Sequence, residues 1–364
     1  MSAPARDPTL EHGPDPSRAR GVRLGRREVD VDRVWVLALV GLLAVEIVGF
    51  SVVVSGFFGH GTGLLSLSEQ FIDVGAMALG AAIVIFAGEI DLSSGAMASF
   101  SGIVMAELWQ SGVEIWLAVL IALVMCTLVG TINGLLVTRL NISSLLVTLA
   151  MQFILSSVAT AWGGNAPPYN FPSRFVAIVG TGTVGPIPSQ LIIFAVLAVG
   201  ATLLVTRTGF GRSLVLIGFN RDAARYTGVR VRSTLVGAFA MSGLLAGVAG
   251  ILISGFYNAA RDDIGDSLLL PAITVVVLGG VDIFGGRGRM GGVIVAAFLL
   301  GFLTQGLLVD GDSSLTASMV TGIVLIACLT LKIVLDQRLG RSFFAGVARR
   351  FRRGELGSLP AQPI

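Results

Sequence analysis

Charged residues are scarce in this sequence. They make up 13% of its 364 residues, whereas an ordinary soluble domain carries about 25%. Hydrophobic residues reach 54% and the mean hydropathy is +0.86. A chain with this balance cannot remain dissolved in water, which excludes a soluble enzyme or a soluble binding domain. Its 48 glycines are compatible with membrane helices, whose backbones approach closely where side chains are small.

The residue types that carry most catalytic and metal chemistry are equally few. The two histidines, His12 and His60, offer no material for a histidine-based metal centre or a catalytic triad. The two cysteines, Cys126 and Cys328, are too few for a disulfide framework. The only lysine, Lys332, does not follow a glycine-rich turn, so the chain has no P-loop for ATP. We therefore predict that the chain is not an enzyme and holds no metal or cofactor of its own.

Long apolar segments fill most of the remaining chain. Because a bilayer crossing needs roughly 20 helical residues, they predict an all-α fold, a polytopic membrane helical bundle of about ten transmembrane helices over residues 34–337. Two segments, 95–108 and 268–278, are short and predict half-helices beside glycine-rich bends. The ten segments are 34–54, 71–87, 95–108, 115–137, 145–161, 191–205, 235–254, 268–278, 291–308 and 319–334.

Arginines indicate the orientation of this bundle, since basic residues favour the cytoplasmic side. With ten spans and a cytoplasmic N-terminus, the basic clusters all lie inside, and the outward loops hold only Arg174 and Arg261. Residues 1–33 are then a disordered cytoplasmic tail, and residues 338–364 are a basic cytoplasmic tail. Both termini are expected in the cytoplasm.

The polar stretch 206–234 lies on the predicted cytoplasmic side. It contains a short helix signal, in which Asn220 is a good N-cap and Gly228 a natural stop. Two interpretations remain: a solvated basic loop that follows the positive-inside rule, or a rigid knob that docks onto a partner subunit. The residues predicted to couple to that partner are Asn220, Arg221, Asp222, Ala224, Arg225 and Gly228, with Arg221 and Arg225 making the contact.

Two glycine-framed segments, 88–95 and 279–286, share one pattern around an aspartate, and each follows an apolar run. Aspartates beside such bends are costly at membrane depth and are usually paired or functional. We favour the interpretation that each aspartate caps the helix that follows, over a requirement for its charge. The residues of the two bends are Gly88, Asp91 and Gly95, and Gly279, Asp282 and Gly286.

Uncharged polar side chains within the spans suggest a route for a neutral, polyhydroxylated solute, which would need hydrogen bonds without charge. The alternative is hydrogen bonding between helices, which contributes about 0.6 kcal/mol on average in membranes. The candidates are Asn133, Thr148, Gln152, Ser156, Ser157, Ser242, Thr274 and Gln305.

The predicted outward face has a local excess of acidic residues. We expect it to attract a soluble partner with arginine or lysine at its rim, unless these are ordinary solvated loops. The residues are Asp262, Asp263 and Asp266 in one loop, and Asp310 and Asp312 in another.

The sequence resembles the permeases of ribose/xylose/rhamnose-type ABC importers of bacteria in four stretches, which occur in the order expected for that family. They are 88–105, 218–232, 242–252 and 277–288. The similarity covers roughly residues 34–335. The resemblance implies a dimer of ten-helix subunits in the cytoplasmic (inner) membrane. It also implies two ATP-binding subunits that hold ATP and magnesium, and an extracytoplasmic binding protein that delivers a small sugar or sugar-like solute.

Two departures from this family stand out. Glu89 takes the place of a common second glycine, and Ser143 with Ser144 replaces a frequent proline. Other functions also remain open, namely an ion-coupled secondary transporter, for which Glu46 is the one acid deep in a predicted span, or an ABC permease for a nucleoside or a branched-chain amino acid. The capped helix at 220–228 favours a docked ATPase. Nothing suggests binding to nucleic acid.

Overall fold

The fold is a bundle of α-helices in a computed structural model that describes residues 31–53, 64–163 and 169–309, with short pieces between 313 and 330. A two-stranded antiparallel hairpin joins β1 (Thr183–Val184) to β2 (Ile187–Pro188). The helices are α1 Val31–Val53, α2 Leu64–Leu67, α3 Ile72–Phe86, α4 Ser94–Gln110, α5 Ile115–Arg139, α6 Ser144–Gly163, α7 Ser173–Val179, α8 Ser189–Arg207, α9 Gly209–Phe219, α10 Arg221–Tyr226, α11 Val231–Tyr257, α12 Asp266–Leu278 and α13 Met290–Val309.

The prediction of an all-α membrane bundle is confirmed. Six helices of the described part, α1, α5, α6, α8, α11 and α13, are long and apolar enough to cross a membrane. The helices α3 and α12 are shorter and apolar, and α4 extends beyond the predicted segment 95–108 at both ends. The last predicted segment, 319–334, and the predicted tails lie largely outside the described residues, so the count of ten spans stays a prediction.

The centre of the bundle is built on α3 and α11. All residues of α3 except Val74 are buried, as expected for a helix that is apolar all round. Glycines on α11 let neighbouring helices approach closely, and the Ser101 hydroxyl of α4 donates to the Gly247 carbonyl of α11 at 2.9 Å. A Cβ on Gly250 would collide with the Ala98 carbonyl of α4. This contact fixes how α4 lies against α11.

The outer helices expose large apolar side chains instead. Leu37 and Val45 on α1, Phe153 on α6 and Val196 on α8 are each more than 60% exposed. On a soluble protein such apolar surface would be an aggregation hazard, whereas in a bilayer it contacts lipid. The bundle therefore presents a lipid-facing exterior around the α3 and α11 core.

The stretch 206–234 differs from its prediction. It was expected to be a polar segment with one short helix, but α8 continues to Arg207 and α9 occupies Gly209–Phe219 before the short helix begins. The hydroxyl of Thr208 caps α9 by accepting a hydrogen bond from the Gly211 amide at 3.2 Å. Helix α9 was missed because its glycines and Arg212 mask a short amphipathic helix. It carries the chain from the end of α8 to the candidate coupling helix.

Candidate functional site

Helix α10 has the caps that the sequence predicted. The side chain of Asn220 accepts hydrogen bonds from the backbone amides of Asp222, at 3.0 Å, and Ala223, at 2.9 Å. Gly228 follows the helix with φ +82°, a conformation that glycine adopts without strain. Only Ala224 of this helix is buried. The capped helix is therefore confirmed, while its role in coupling stays a prediction.

Exposed aromatic side chains surround α10. Tyr226 at its end is 93% exposed, and Phe284 in the loop between α12 and α13 is 88% exposed. Phe219, just before the Asn220 cap, is also exposed. Aromatic residues are enriched in the buried centres of protein interfaces. Sequence analysis missed these three residues because an isolated aromatic residue, at the end of a short helix or in a loop, gives no periodic signal.

Backbone contacts between four glycines hold the end of α9, next to α10, to the bundle. We call Gly88, Gly218, Gly285 and Gly286 the glycine junction. A Cβ on Gly218 would collide with the carbonyl of Phe86 and the amide of Gly286. Gly88 and Gly285 have φ values of +75° and +86°. The amide of Gly286 donates to the carbonyl of Phe86, at the end of α3, at 3.0 Å. The end of α9, the 88–95 bend and the 279–288 loop therefore interlock directly beside α10.

An ion pair joins α10 to the same bend. The guanidinium of Arg221 contacts the carboxylate of Glu89, whose side chain is only 12% exposed. Arg221 therefore points toward the bend while its side chain stays 42% exposed, and its contact with a partner subunit stays a prediction. Arg225 instead pairs with Asp222 on the same helix at 3.3 Å, and both side chains are more than half exposed.

Asp91 lies at the centre of a buried polar network. One carboxylate oxygen accepts hydrogen bonds from the Ser93 hydroxyl at 2.6 Å and the Ser93 amide at 3.1 Å. The other oxygen accepts from the Ser242 hydroxyl of α11 at 2.7 Å. The side chain of Asn133, on α5, donates to the Ser93 hydroxyl at 2.9 Å. We call Asp91, Ser93, Asn133 and Ser242 the Asp91 network.

The predicted capping roles of Asp91 and Asp282 are both wrong. The N-cap residue of α4 is Ser93, and Asp91 instead links the bend to α11. Asp282 accepts from the amide of Phe284 at 3.0 Å and so holds the 279–288 loop, while α13 begins only at Met290. In both cases the sequence shows an aspartate before a helix, but it does not show that further residues separate the aspartate from the first turn of that helix.

The candidates for a solute route fall into two groups. Asn133, Thr148 and Ser242 are buried around the 88–95 bend, where Thr148 accepts from the Leu92 amide at 3.1 Å. These three match the alternative of bonding between helices. Gln152, Ser156 and Ser157 lie on α6, and their side chains make no hydrogen bond to the described part of the chain. Gln305 and Thr274 share a cavity instead.

This cavity opens between α3, α12 and α13 and measures about 550 Å³. Its described lining holds no charged side chain. The polar members are Gln70, Thr274, Thr304 and Gln305, set in an apolar wall that includes Phe71 and Pro271. The volume is within the range of about 300–1,000 Å³ usual for small-molecule sites.

The acidic residues predicted to face outward are partly neutralised. Arg261 makes two hydrogen bonds to Asp263, at 2.9 and 2.7 Å, and these bonds hold the pKa of that carboxyl below its usual value. The carboxylate of Asp262 accepts from the hydroxyl of Thr160 at 2.6 Å, and Asp266 lies in the first turn of α12. Asp310 and Asp312 fall outside the described residues.

Comparisons with known proteins agree with this architecture. The sequence model of the family described as the branched-chain amino acid transport system / permease component matches residues 63–329. The autoinducer 2 import system permease protein LsrD of Escherichia coli K12 is 36% identical over 298 residues, which cover 80% of this chain and 90% of that protein. The proteins of the same name from Shigella flexneri and Escherichia coli O157:H7 show the same identity and coverage. The chain therefore belongs to this permease family and is the membrane-spanning permease subunit of an ABC importer.

Proposed function

We propose that this permease imports a small, neutral, sugar-like solute that an extracytoplasmic binding protein delivers. A separate ATP-binding subunit hydrolyses ATP, holds the magnesium and docks on α10. The permease acts as a pair of chains, either two copies or a copy and a homologue, with both termini in the cytoplasm. The family and the six long apolar helices support a multi-pass subunit of the cytoplasmic membrane.

The observation that carries this proposal is the way α10 is built into the bundle. A helix of six residues is marginal in water, yet α10 is capped by Asn220 and braced by the glycine junction. Its exposed Tyr226 lies on a rigid support rather than on a loose loop. A docked subunit could push on this helix and so move the ends of α3 and α9. A solvated basic loop could not transmit such a movement.

The chemistry of the solute follows from two observations. The names of the relatives state that they import autoinducer 2, and we extend only the class, a small sugar-like solute, to this chain. The α3–α12–α13 cavity offers amide and hydroxyl groups without a charge in its described lining. Amides and hydroxyls match a polyhydroxylated solute, whereas a strongly anionic solute would require a cation.

One experiment tests the whole proposal. The permease is reconstituted in proteoliposomes with its cognate ATP-binding subunit and binding protein, and uptake of autoinducer 2, D-ribose and L-leucine is measured with and without ATP. We expect ATP-dependent uptake of at least one sugar-like probe and none of L-leucine. Uptake of L-leucine alone, or uptake driven by an ion gradient without ATP, would contradict the proposal.

Tyr226→Ala should weaken docking of the ATP-binding subunit. A buried aromatic anchor contributes about 2 kcal/mol or more to an interface, so we expect roughly 30-fold weaker binding. The affinity is measured by titrating the purified ATP-binding subunit onto the detergent-solubilised permease. Tyr169→Ala is the matched control, because Tyr169 is also an exposed tyrosine but lies in a loop predicted to face outward and pairs with Ala259. Equal affinities for the two variants would remove α10 from the interface.

Neutralising Asp262, Asp263 and Asp266 together should slow association of the binding protein with the permease. Exposed charges mainly steer association, so the on-rate should fall about tenfold at low salt and the dissociation rate should change little. Association is measured at two ionic strengths on the reconstituted permease. Identical rates and salt slopes for wild type and the triple variant would exclude this surface.

A further inference from the structure

The 88–95 bend is attached on two sides. On one side, Glu89 pairs with Arg221 at the start of α10. On the other, Asp91 accepts from Ser242 of α11 at 2.7 Å, and the Leu92 amide donates to Thr148 of α6 at 3.1 Å. The bend is therefore a continuous polar connection from α10 to two of the long apolar helices.

The Glu89–Arg221 ion pair is more buried than the other ion pair of α10. The Glu89 side chain is 12% exposed and that of Arg221 is 42% exposed. A largely buried carboxylate that loses its cation keeps the cost of leaving water without the compensating attraction. The Arg225–Asp222 pair on the same helix is far more exposed and contributes little.

The ion pair also differs from the glycine junction in the direction of the force that it can transmit. Backbone atoms in van der Waals contact resist compression, so the junction can pass a push from α10 to α3. They offer little resistance when α10 moves away. Only an attractive contact can make the bend follow α10 when α10 moves away. The side chain of Arg221 reaches from α10 to the bend and makes such a contact.

We propose that the Glu89–Arg221 ion pair is a positioning contact of the transport cycle, which makes the 88–95 bend follow α10 when the ATP-binding subunit moves it. The proposal rests on the proposed function, because it requires α10 to be the docking helix. Neither residue lines the α3–α12–α13 cavity. Their role is to pass movement through Asp91 and Leu92 to α11 and α6.

The test uses the complex of the permease with its ATP-binding subunit and compares hydrogen exchange with and without ATP and vanadate. In wild type, trapping should change exchange both in α10 and in residues 88–95. In Glu89→Gln, which keeps the side-chain shape and removes its charge, α10 should still respond while the response of the bend falls about fivefold or more. Uptake per ATP hydrolysed should fall by a similar factor.

Two further variants make the result decisive. Exchanging the charges, with Glu89→Arg and Arg221→Glu together, should restore the response of the bend. Glu107→Gln, the same change on α4 at a residue that has no ion pair in the described part of the chain, should leave that response unchanged. An undiminished bend response in Glu89→Gln would overturn the proposal. If wild-type α10 shows no protection by the ATP-binding subunit, the proposed function itself fails, and the two failures are thereby distinguished.

Discussion

Gly218→Ala is expected to prevent normal assembly of the permease. The added Cβ would collide with the Phe86 carbonyl on one side and the Gly286 amide on the other, and both are backbone atoms that cannot rotate away. Overpacking costs typically about 1–3 kcal/mol, and more where the neighbours cannot move. We therefore expect a loss of about 3 kcal/mol of stability, or a displaced α9 and α10 with coupled ATP hydrolysis abolished.

Gly200→Ala in α8 is the matched control, because the same substitution in a helix meets no atom within 4 Å. Alanine is favoured over glycine in a helix by about 1 kcal/mol, so this variant should be neutral or slightly more stable. Thermal stability of the detergent-solubilised protein, followed by gel filtration after heating, compares the two. Equal stability and equal coupled uptake for both variants would show that the glycine junction is not tightly packed.

The sequence predicted features that depend on neighbouring residues. The apolar runs gave the membrane bundle, and the order of Asn220, Asp222 and Gly228 gave the capped helix α10. Such signals are local, because a cap or a span involves residues within one or two turns of each other. The same reasoning missed α9, whose glycines and Arg212 conceal its amphipathic pattern.

Features that depend on distant residues could not be predicted in this way. Glu89 was noted as an acid in place of a glycine, but its partner Arg221 is 132 positions away in the chain. Ser144, noted as a departure from proline, accepts from the Ile90 amide at 3.4 Å, a second contact with the same bend. Among 48 glycines, nothing in the sequence marks Gly218 as a position where a Cβ would collide with the backbones of two other segments.

Asp91 provides the second large expected effect. Asp91→Leu removes the acceptor for the hydroxyls of Ser93 and Ser242, and each buried donor left without a partner costs about 1–3 kcal/mol. We expect strongly reduced assembly. Asp91→Asn should be mild, because the amide oxygen can accept from Ser93 and the amide nitrogen can donate to the Ser242 hydroxyl. Normal assembly of Asp91→Asn with no transport would instead show that the charge itself is required.

A double-mutant cycle with Ser242→Ala tests whether the Asp91 network connects α11 to the bend. If the 2.7 Å bond is made in the membrane, Asp91→Leu and Ser242→Ala remove the same interaction, and their combined loss of stability should be clearly smaller than the sum of the two. Thermal stability of all four proteins is measured in one detergent. Independent sites add within about 0.3–0.5 kcal/mol. Additivity within that margin would mean that Asp91 and Ser242 act separately, and that the bend is joined to α11 by backbone packing alone.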